Sequence, residues 1–262
     1  MNITAGAYSS KGSVRPHNED AFLIAAETGG GGIDDTGAVF SGTVDDGCLL
    51  FLVADGMGGH AAGDAASAFV SEQMKNAAQQ NGRFDSALLE ITVKDIHARL
   101  LEEGKKRGTP NMGTTLAGIV LQNGGGGLFN AGDSRVYRLR NGFLQQLSRD
   151  DSLSSVVPGA AKNIITNAVG AGLAETSVES RFSPSVAVAG DVFFMCSDGV
   201  HGFISDDDLE LMLTDCSNPA GTARLIVETA IANNSDDNCT AVVVKIDVEA
   251  PGEKAEECDG GK

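Results

Sequence analysis

Cys48-Leu49-Leu50-Phe51-Leu52-Val53-Ala54-Asp55-Gly56-Met57-Gly58-Gly59-His60 begins as an unbroken apolar run and ends in a carboxylate followed by glycines. The run predicts a buried strand, and a helical pattern begins soon after it. A carboxylate at the end of such a strand, beside glycines that let another group approach the backbone, suits the binding of a cation and a phosphate. Taken alone, Asp55 serves equally well as the cap of a strand-to-helix turn.

Three further stretches repeat the arrangement. His17-Asn18-Glu19-Asp20 precedes the apolar residues 21–26, residues 191–197 run as a strand into Asp198-Gly199, and Ser235-Asp236-Asp237-Asn238 leads into the β-branched residues 239–246. Acids so placed converge only at a sheet rim. There each like-charged pair about 4 Å apart costs roughly 4 kcal/mol at an effective dielectric near 20, so a cation belongs among them. Ligands that are all oxygen point to Mg²⁺ or Mn²⁺, since no histidine and cysteine set has zinc spacing. The five cysteines form no Cys-x-x-Cys pair and are odd in number, which reads as a reduced, cytoplasmic protein.

Working outward from these ends, strands are expected at residues 3–8, 21–26, 49–54, 115–122, 128–131, 135–140, 192–196 and 240–246. Two long helices are expected at 63–80 and 85–104, the second with Asp85 as N-cap and Gly104 as stop. His97 in that helix reads as a surface or core-edge residue, not a ligand. Ser205 caps a short helix whose acidic triplet suits the helix dipole, and a longer helix follows at 219–232. The glycine-rich stretches 28–33 and 123–127 lack the lysine and hydroxyl residue of a P-loop and read as hairpin loops. The order of elements gives an α+β layered architecture in one domain, residues 1–247, with an acidic tail at 248–262 expected to be disordered.

The net charge of −17 over 262 residues argues against nucleic acid as a partner. No stretch approaches the roughly 20 apolar residues of a membrane span, and the first residues do not read as a secretory leader. An anionic substrate needs local positive charge, which metal ions and Arg15 supply.

Taken in order, RPHNED (15–20), VADGMGGH (53–60), MGTTLAG (112–118), NAGDSRVYRLRNG (130–142), CSDG (196–199) and DDNCTAVVV (236–244) resemble the metal-dependent Ser/Thr protein phosphatases of the phosphatase 2C-like family, in its bacterial form. The resemblance implies a central antiparallel β-sandwich with a pair of antiparallel helices on each outer face and a dinuclear Mg²⁺ or Mn²⁺ centre at one end. Asp55 then matches the carboxylate bridging both ions, and Gly56 the residue whose carbonyl completes one shell. Asp198 and Asp237 match further ligands of the first ion, and Glu19 and Asp20 those of the second. Arg15 matches the arginine that binds substrate phosphate, where a planar guanidinium suits two oxygens. Asn238 is expected to support Asp237.

The implied reaction is hydrolysis of phosphoserine and phosphothreonine in proteins by a metal-bridging water, reversing a cognate Ser/Thr kinase. The alternative is a phosphoprotein-binding scaffold without turnover, but such a chain usually loses a metal carboxylate, and Asp20, Asp55, Asp198 and Asp237 are all present.

Some positions depart from the family pattern. Asp133 matches a ligand of a third ion, yet Gly202 stands where its acidic companion is expected. Ser10 stands where many bacterial relatives carry an acid. Met57 replaces the histidine that eukaryotic relatives often use as leaving-group acid and has no proton to give, which makes His60 or water the candidate donor. The flap segment, residues 152–162, is short, so the cleft is expected to be open and peptide selectivity modest.

Overall fold

The run that starts at Cys48 becomes β5 (Cys48–Met57), a strand with helices against one face and a second sheet against the other. The computed structural model describes residues 1–25, 27–30, 33–44, 47–59, 62–153, 157 and 164–247. Four strands and β5 open the chain: β1 (Asn2–Ser10), β2 (Asp20–Ile24), β3 (Glu27–Gly30) and β4 (Thr36–Thr43) precede it. The helices α1 (Gly63–Asn81) and α2 (Ser86–Arg107) follow. Next come β6 (Gly113–Thr114), β7 (Leu116–Gln122), β8 (Gly125–Ala131), β9 (Arg135–Arg140), β10 (Phe143–Gln146), β11 (Val169–Gly170), β12 (Glu179–Ser183) and β13 (Val192–Cys196). The short α3 (Asp198–His201), α4 (Asp206–Thr214), α5 (Pro219–Ala232) and β14 (Cys239–Ile246) complete the described elements.

One sheet has the order β10-β9-β13-β14-β1-β4; the other runs β11-β6-β5-β7-β8-β12, with β2 joined to β5 and β3 to β2. All pairings are antiparallel, for example Phe194 opposite Val243 and Val53 opposite Ala117. Phe22, Phe51 and Val53 of one sheet meet Ile3, Phe193 and Val244 of the other in the central layer. On the outer face of the larger sheet, Leu50 and Leu52 pack with Val70 and Met74 of α1 and Val93 and Ile96 of α2. Across the molecule Phe194 and Val243 pack with Leu209 of α4 and Ile226 of α5. Each such side chain contributes roughly 1.5–3 kcal/mol by leaving water, and a strand covered on both faces reads as a continuous apolar run. The expected sandwich between helix pairs is the observed architecture.

Several local expectations need correction. α2 continues through Gly104 to Arg107 and stops at Gly108, whose φ of 73° lets its N–H reach the carbonyls of Gly104 and Lys105. Asp85 does cap its start, accepting from the Leu88 N–H at 2.8 Å. Both glycine stretches contribute residues to strands: Glu27–Gly30 forms β3 and Gly125 opens β8, with the second turn reduced to Asn123-Gly124. Glycine is needed there because the rings of Phe22 and Phe182 lie across Gly29 and Gly127, where a Cβ would stand. Ala26, Gly31 and Gly32 of the first glycine-rich stretch, most of the flap segment (154–156 and 158–162) and the tail 248–262 lie outside the described residues.

The strand directions bring the acids to one rim. Asp20 starts β2, Asp55 lies near the end of β5, Asp198 follows β13, and Asp237 precedes β14.

Candidate functional site

Asp20 and Asp55 are direct cross-strand partners in the β2–β5 ladder, an arrangement that is destabilising for two like charges. Each is held by the structure around it. The Asp55 N–H donates to Thr115 Oγ1 at 3.0 Å, while its carbonyl accepts from the Thr115 N–H at 2.9 Å and from Thr114 Oγ1 at 2.9 Å. From the opposite sheet, Ser197 Oγ and Thr240 Oγ1 each donate to Asp20 Oδ2 at 2.7 Å, tying the two sheets together at the rim. Sequence reasoning missed these four hydroxyls. Their signal was placement: Ser197 directly before Asp198, Thr240 shortly after Asp237, and the Thr114-Thr115 pair inside the MGTTLAG stretch.

Asp198 and Asp237 arrive from the smaller sheet. Arg15 reaches the cluster from the 11–19 loop, donating from NH2 to Asp237 Oδ2 at 2.6 Å and from Nε to the Asp236 carbonyl at 3.2 Å. Asn238 does more than support its neighbour. Its Oδ1 accepts from the Glu19 N–H at 2.8 Å, and its Nδ2 donates to the carbonyls of Lys11 and His17 at 3.0 and 2.9 Å, so it fixes the loop that carries Arg15, Glu19 and Asp20. The Glu19 carbonyl accepts from the Gly56 N–H at 3.1 Å and from Ser67 Oγ at 2.6 Å. Its carboxylate lies against Gly63, the first residue of α1, where the helix dipole favours negative charge. A Cβ on Gly56 would collide with the carbonyls of Glu19 and Gly63, so only glycine fits between β2 and α1.

Burial and mutual repulsion raise the acids of the cluster. Burial raises Asp20 to about 7 against the hydrogen bonds of Ser197 and Thr240, and Asp237 and Asp198 raise it further. Burial also pushes Asp55 well above the ordinary carboxylate range, helped by Asp20, Asp198, Asp133 and Asp237. Asp198 is raised by burial and then by Asp237. Asp20 Oδ1, Asp133 Oδ1 and Asp198 Oδ1 are buried with no hydrogen-bond partner. Such orphans are rare in folded proteins and mark places where an ion or water belongs.

Asp133 adjoins this group. Burial raises it to about 7, with Asp198 the next cause, and its backbone carbonyl accepts from His201 Nε2 at 3.1 Å. His201 is half-buried, and desolvation of its ring, with Arg135 nearby, lowers it to about 4, which keeps the ring neutral. Gly202 ends α3 and offers no carboxylate. His97 is 5 % exposed and accepts the Gly170 N–H on Nδ1 at 3.0 Å, a core histidine at the helix–sheet boundary. Ser10 donates to Asp35 Oδ1 at 2.5 Å, a contact within the same rim. His60 lies outside the described residues.

A cleft of about 420 Å³ opens over the cluster, bounded by Arg15, Glu19, Asp55, Met57, Asp198 and Asp237 among others. Among the described residues no three His, Cys, Asp or Glu side chains form a finished cage around one point. Mg²⁺ needs no such cage, since it is held by one or two carboxylates and keeps several waters. The orphaned oxygens, raised carboxylates and all-oxygen donor set fit hard divalent cations.

Residues 33–234 match the family described as Protein phosphatase 2C. The chain is 30% identical over 254 residues to the serine/threonine protein phosphatase PstP of Mycobacterium tuberculosis, covering 92% of this chain and 44% of that protein. It thus spans less than half the length of that relative. It is 27% identical to the serine/threonine phosphatase stp of Listeria monocytogenes, covering 94% of this chain and 97% of that one. Among solved structures, the catalytic domain of PstP in complex with two manganese ions superposes with a TM-score of 0.75 at 28% identity, over 95% of this chain and 100% of that chain.

Proposed function

The chain belongs to the protein phosphatase 2C family, and from that premise we propose that it hydrolyses phosphoserine and phosphothreonine in proteins at the acidic rim of the sandwich. The observation that carries this reading is the set of buried, unpartnered carboxylate oxygens on Asp20 and Asp198 beside Asp55, with the guanidinium of Arg15 at their edge. In this reading Asp55, Gly56, Asp198 and Asp237 hold one Mg²⁺ or Mn²⁺, and Asp55 with Asp20 and Glu19 holds a second. Bound there, such ions supply an activated water and neutralise phosphate charge.

The remaining work falls to the chain. Arg15 stands at the mouth of the cleft on an exposed side chain and presents its planar fork to the phosphate oxygens. Asn238 keeps Arg15, Glu19 and Asp20 in register with Asp237. Ser197 and Thr240 fix the orientation of Asp20, leaving its other oxygen for the cation. No covalent intermediate is needed, and the buried cysteines are unsuited to forming one. Burial pushes the Cys239 thiol up to about 12 and raises Cys196 as well, so neither is a thiolate near neutral pH. Met57 lines the cleft without a proton to give, which leaves His60 or solvent to protonate the departing alkoxide. Without an acidic partner at Gly202, Asp133 is not assigned a third ion.

The substrates in this reading are cytoplasmic proteins phosphorylated by a Ser/Thr kinase. Among the described residues no helix is long and apolar enough to cross a membrane. Hydrolysis of a phosphothreonine peptide, followed by phosphate release, tests the proposal. Turnover is expected with Mn²⁺ or Mg²⁺ and is lost in chelator. Full activity in chelator contradicts the metal reading, and binding without turnover in either metal contradicts the phosphatase reading.

A further inference from the structure

The cleft over the carboxylates is not wholly polar in its lining. Pro16, Met57 and Ile165 line it together with Arg15 and the acids, and none of the three has a part in holding a cation or phosphate. Nearby in the chain, Val14 is 65% exposed and Ile164 47%. Apolar side chains in the lining of a substrate cleft give a substrate's side chain a surface to bury against.

We propose that Pro16, Met57 and Ile165 form a subsite for an apolar side chain flanking the phosphorylated residue, so that the enzyme prefers phosphosites with an apolar neighbour over those with an acidic one. This rests on the phosphatase reading above. Pro16 directly follows the proposed phosphate-binding Arg15, so a substrate held by its phosphate brings its neighbouring residue onto this wall. Met57 lies two residues beyond Asp55 in β5 and pairs with Gly113 of β6, which places an adaptable thioether side chain beside the reacting group.

The backbone at Ile165 is held by hydrogen bonds on both sides of it. It bridges to Ser152, and the Leu153 and Thr166 N–H groups donate to the Ile164 and Asp151 carbonyls, each at 2.8 Å. Asp151 Oδ2 in turn accepts from the Gly132 N–H at 3.1 Å and from Asn167 Nδ2 at 2.7 Å, so the isoleucine is anchored to the turn that carries Asp133. A side chain positioned by a hydrogen-bonded support can discriminate in a way that a loose loop cannot.

Charge sharpens the preference. Among the described residues lining the cleft, Glu19, Asp55, Asp198 and Asp237 are acidic and Arg15 is the one lysine or arginine. The ions assigned to those acids offset their charge, so what disfavours a Glu is the apolar lining itself: Pro16, Met57 and Ile165 offer it no counter-charge, and Arg15 is taken by the phosphate.

The test uses phosphothreonine peptides identical except for Leu or Glu at the residue before or after the phosphothreonine, with kcat/KM measured for each. The Leu peptide is expected to be favoured by about 10-fold at one of the two positions, the range a partly enclosed apolar contact provides. Ile165→Ala should narrow that ratio to about 3-fold or less, and Ile165→Lys should tilt it toward Glu. The ratio is taken within each variant, so loss of active protein cancels. Equal rates for Leu and Glu peptides, or a ratio unmoved by both Ile165 variants, overturn the subsite. p-Nitrophenyl phosphate, which has no flanking residue, separates the two levels: its hydrolysis with no peptide preference refutes the subsite alone, whereas no hydrolysis of any substrate refutes the phosphatase reading beneath it.

Discussion

Asp191 and Asp198 stand one at each end of β13, and in the sequence each is an acid bordering the same apolar run. At the far rim Asp191 is 1% exposed, and its carboxylate accepts from Arg140 Nε at 2.7 Å, from Arg140 NH2 at 2.6 Å and from the Val188 N–H at 2.9 Å. At the near rim Asp198 keeps a buried oxygen with no partner and is raised by burial and by Asp237. One acid received its cation from the chain; the other shares its neighbourhood with Asp20, Asp55 and Asp133. What separates Asp191 from Asp198 is thus whether the fold closes a counter-charge directly onto the carboxylate; Asp237, the ligand candidate that does meet a guanidinium, meets the exposed Arg15 that is assigned to the phosphate. A buried acid without a counter-charge is stable only if something else brings it.

The comparison is tested first where the effect is largest. Asp55→Asn should lower phosphopeptide turnover on the order of 10³-fold, because it removes charge from the point where both ions are assigned. Retained turnover would break the distinction between the two rims. Asn238→Ala should cost about 10–100-fold in kcat/KM, as loss of a group that orients ligands does, and its effect should appear in Mn²⁺ affinity as well.

Asp191→Asn should behave in the opposite manner. It leaves Arg140 half-paired at the far rim, so thermal unfolding should fall by about 2 kcal/mol, or about 4–8 °C, while kcat on a small phosphate ester is unchanged. A loss of kcat with unaltered unfolding would show that the rims are not independent.

The smallest expected effect is in pH dependence. Asp20 is held near 7 in the folded chain, above the ordinary 3.8 for an aspartate. The folded state therefore binds more protons than the unfolded state between those values, and chelated protein should lose stability as pH rises through that window. Mn²⁺ should compete with those protons, so its increase in Tm should be larger near pH 8 than near pH 5. Equal increases would mean that the cation is not held by the raised carboxylates.

Much of this division was legible from residues alone. Leu50 through Ala54 alternate between helix-facing and sheet-facing positions and are all apolar because both sides are covered, so the strand and its end at Asp55 stand out. β4 does not stand out: Thr36-Gly37-Ala38-Val39-Phe40 lies at a sheet edge, alternates between half-buried and exposed, and is diluted by small residues. The two-residue strands β6 and β11 are too short for any period to show. At the site, charge and order identified Asp20, Asp55, Asp198 and Asp237. Spacing could not show that Ser197 and Thr240 bond Asp20 from across the sandwich, since they lie 177 and 220 residues away along the chain. Nor could it show that Asp191 is neutralised, because Arg140 reaches it from the neighbouring strand, 51 positions earlier.

The most direct test of the difference between the rims is equilibrium Mn²⁺ binding to the wild-type chain, Asp198→Asn and Asp191→Asn, read as stoichiometry and affinity without any substrate. Two ions per chain are expected for the wild type and for Asp191→Asn, with at least one site lost or greatly weakened in Asp198→Asn. No specific Mn²⁺ binding by the wild type, or equal loss in both variants, would contradict the account.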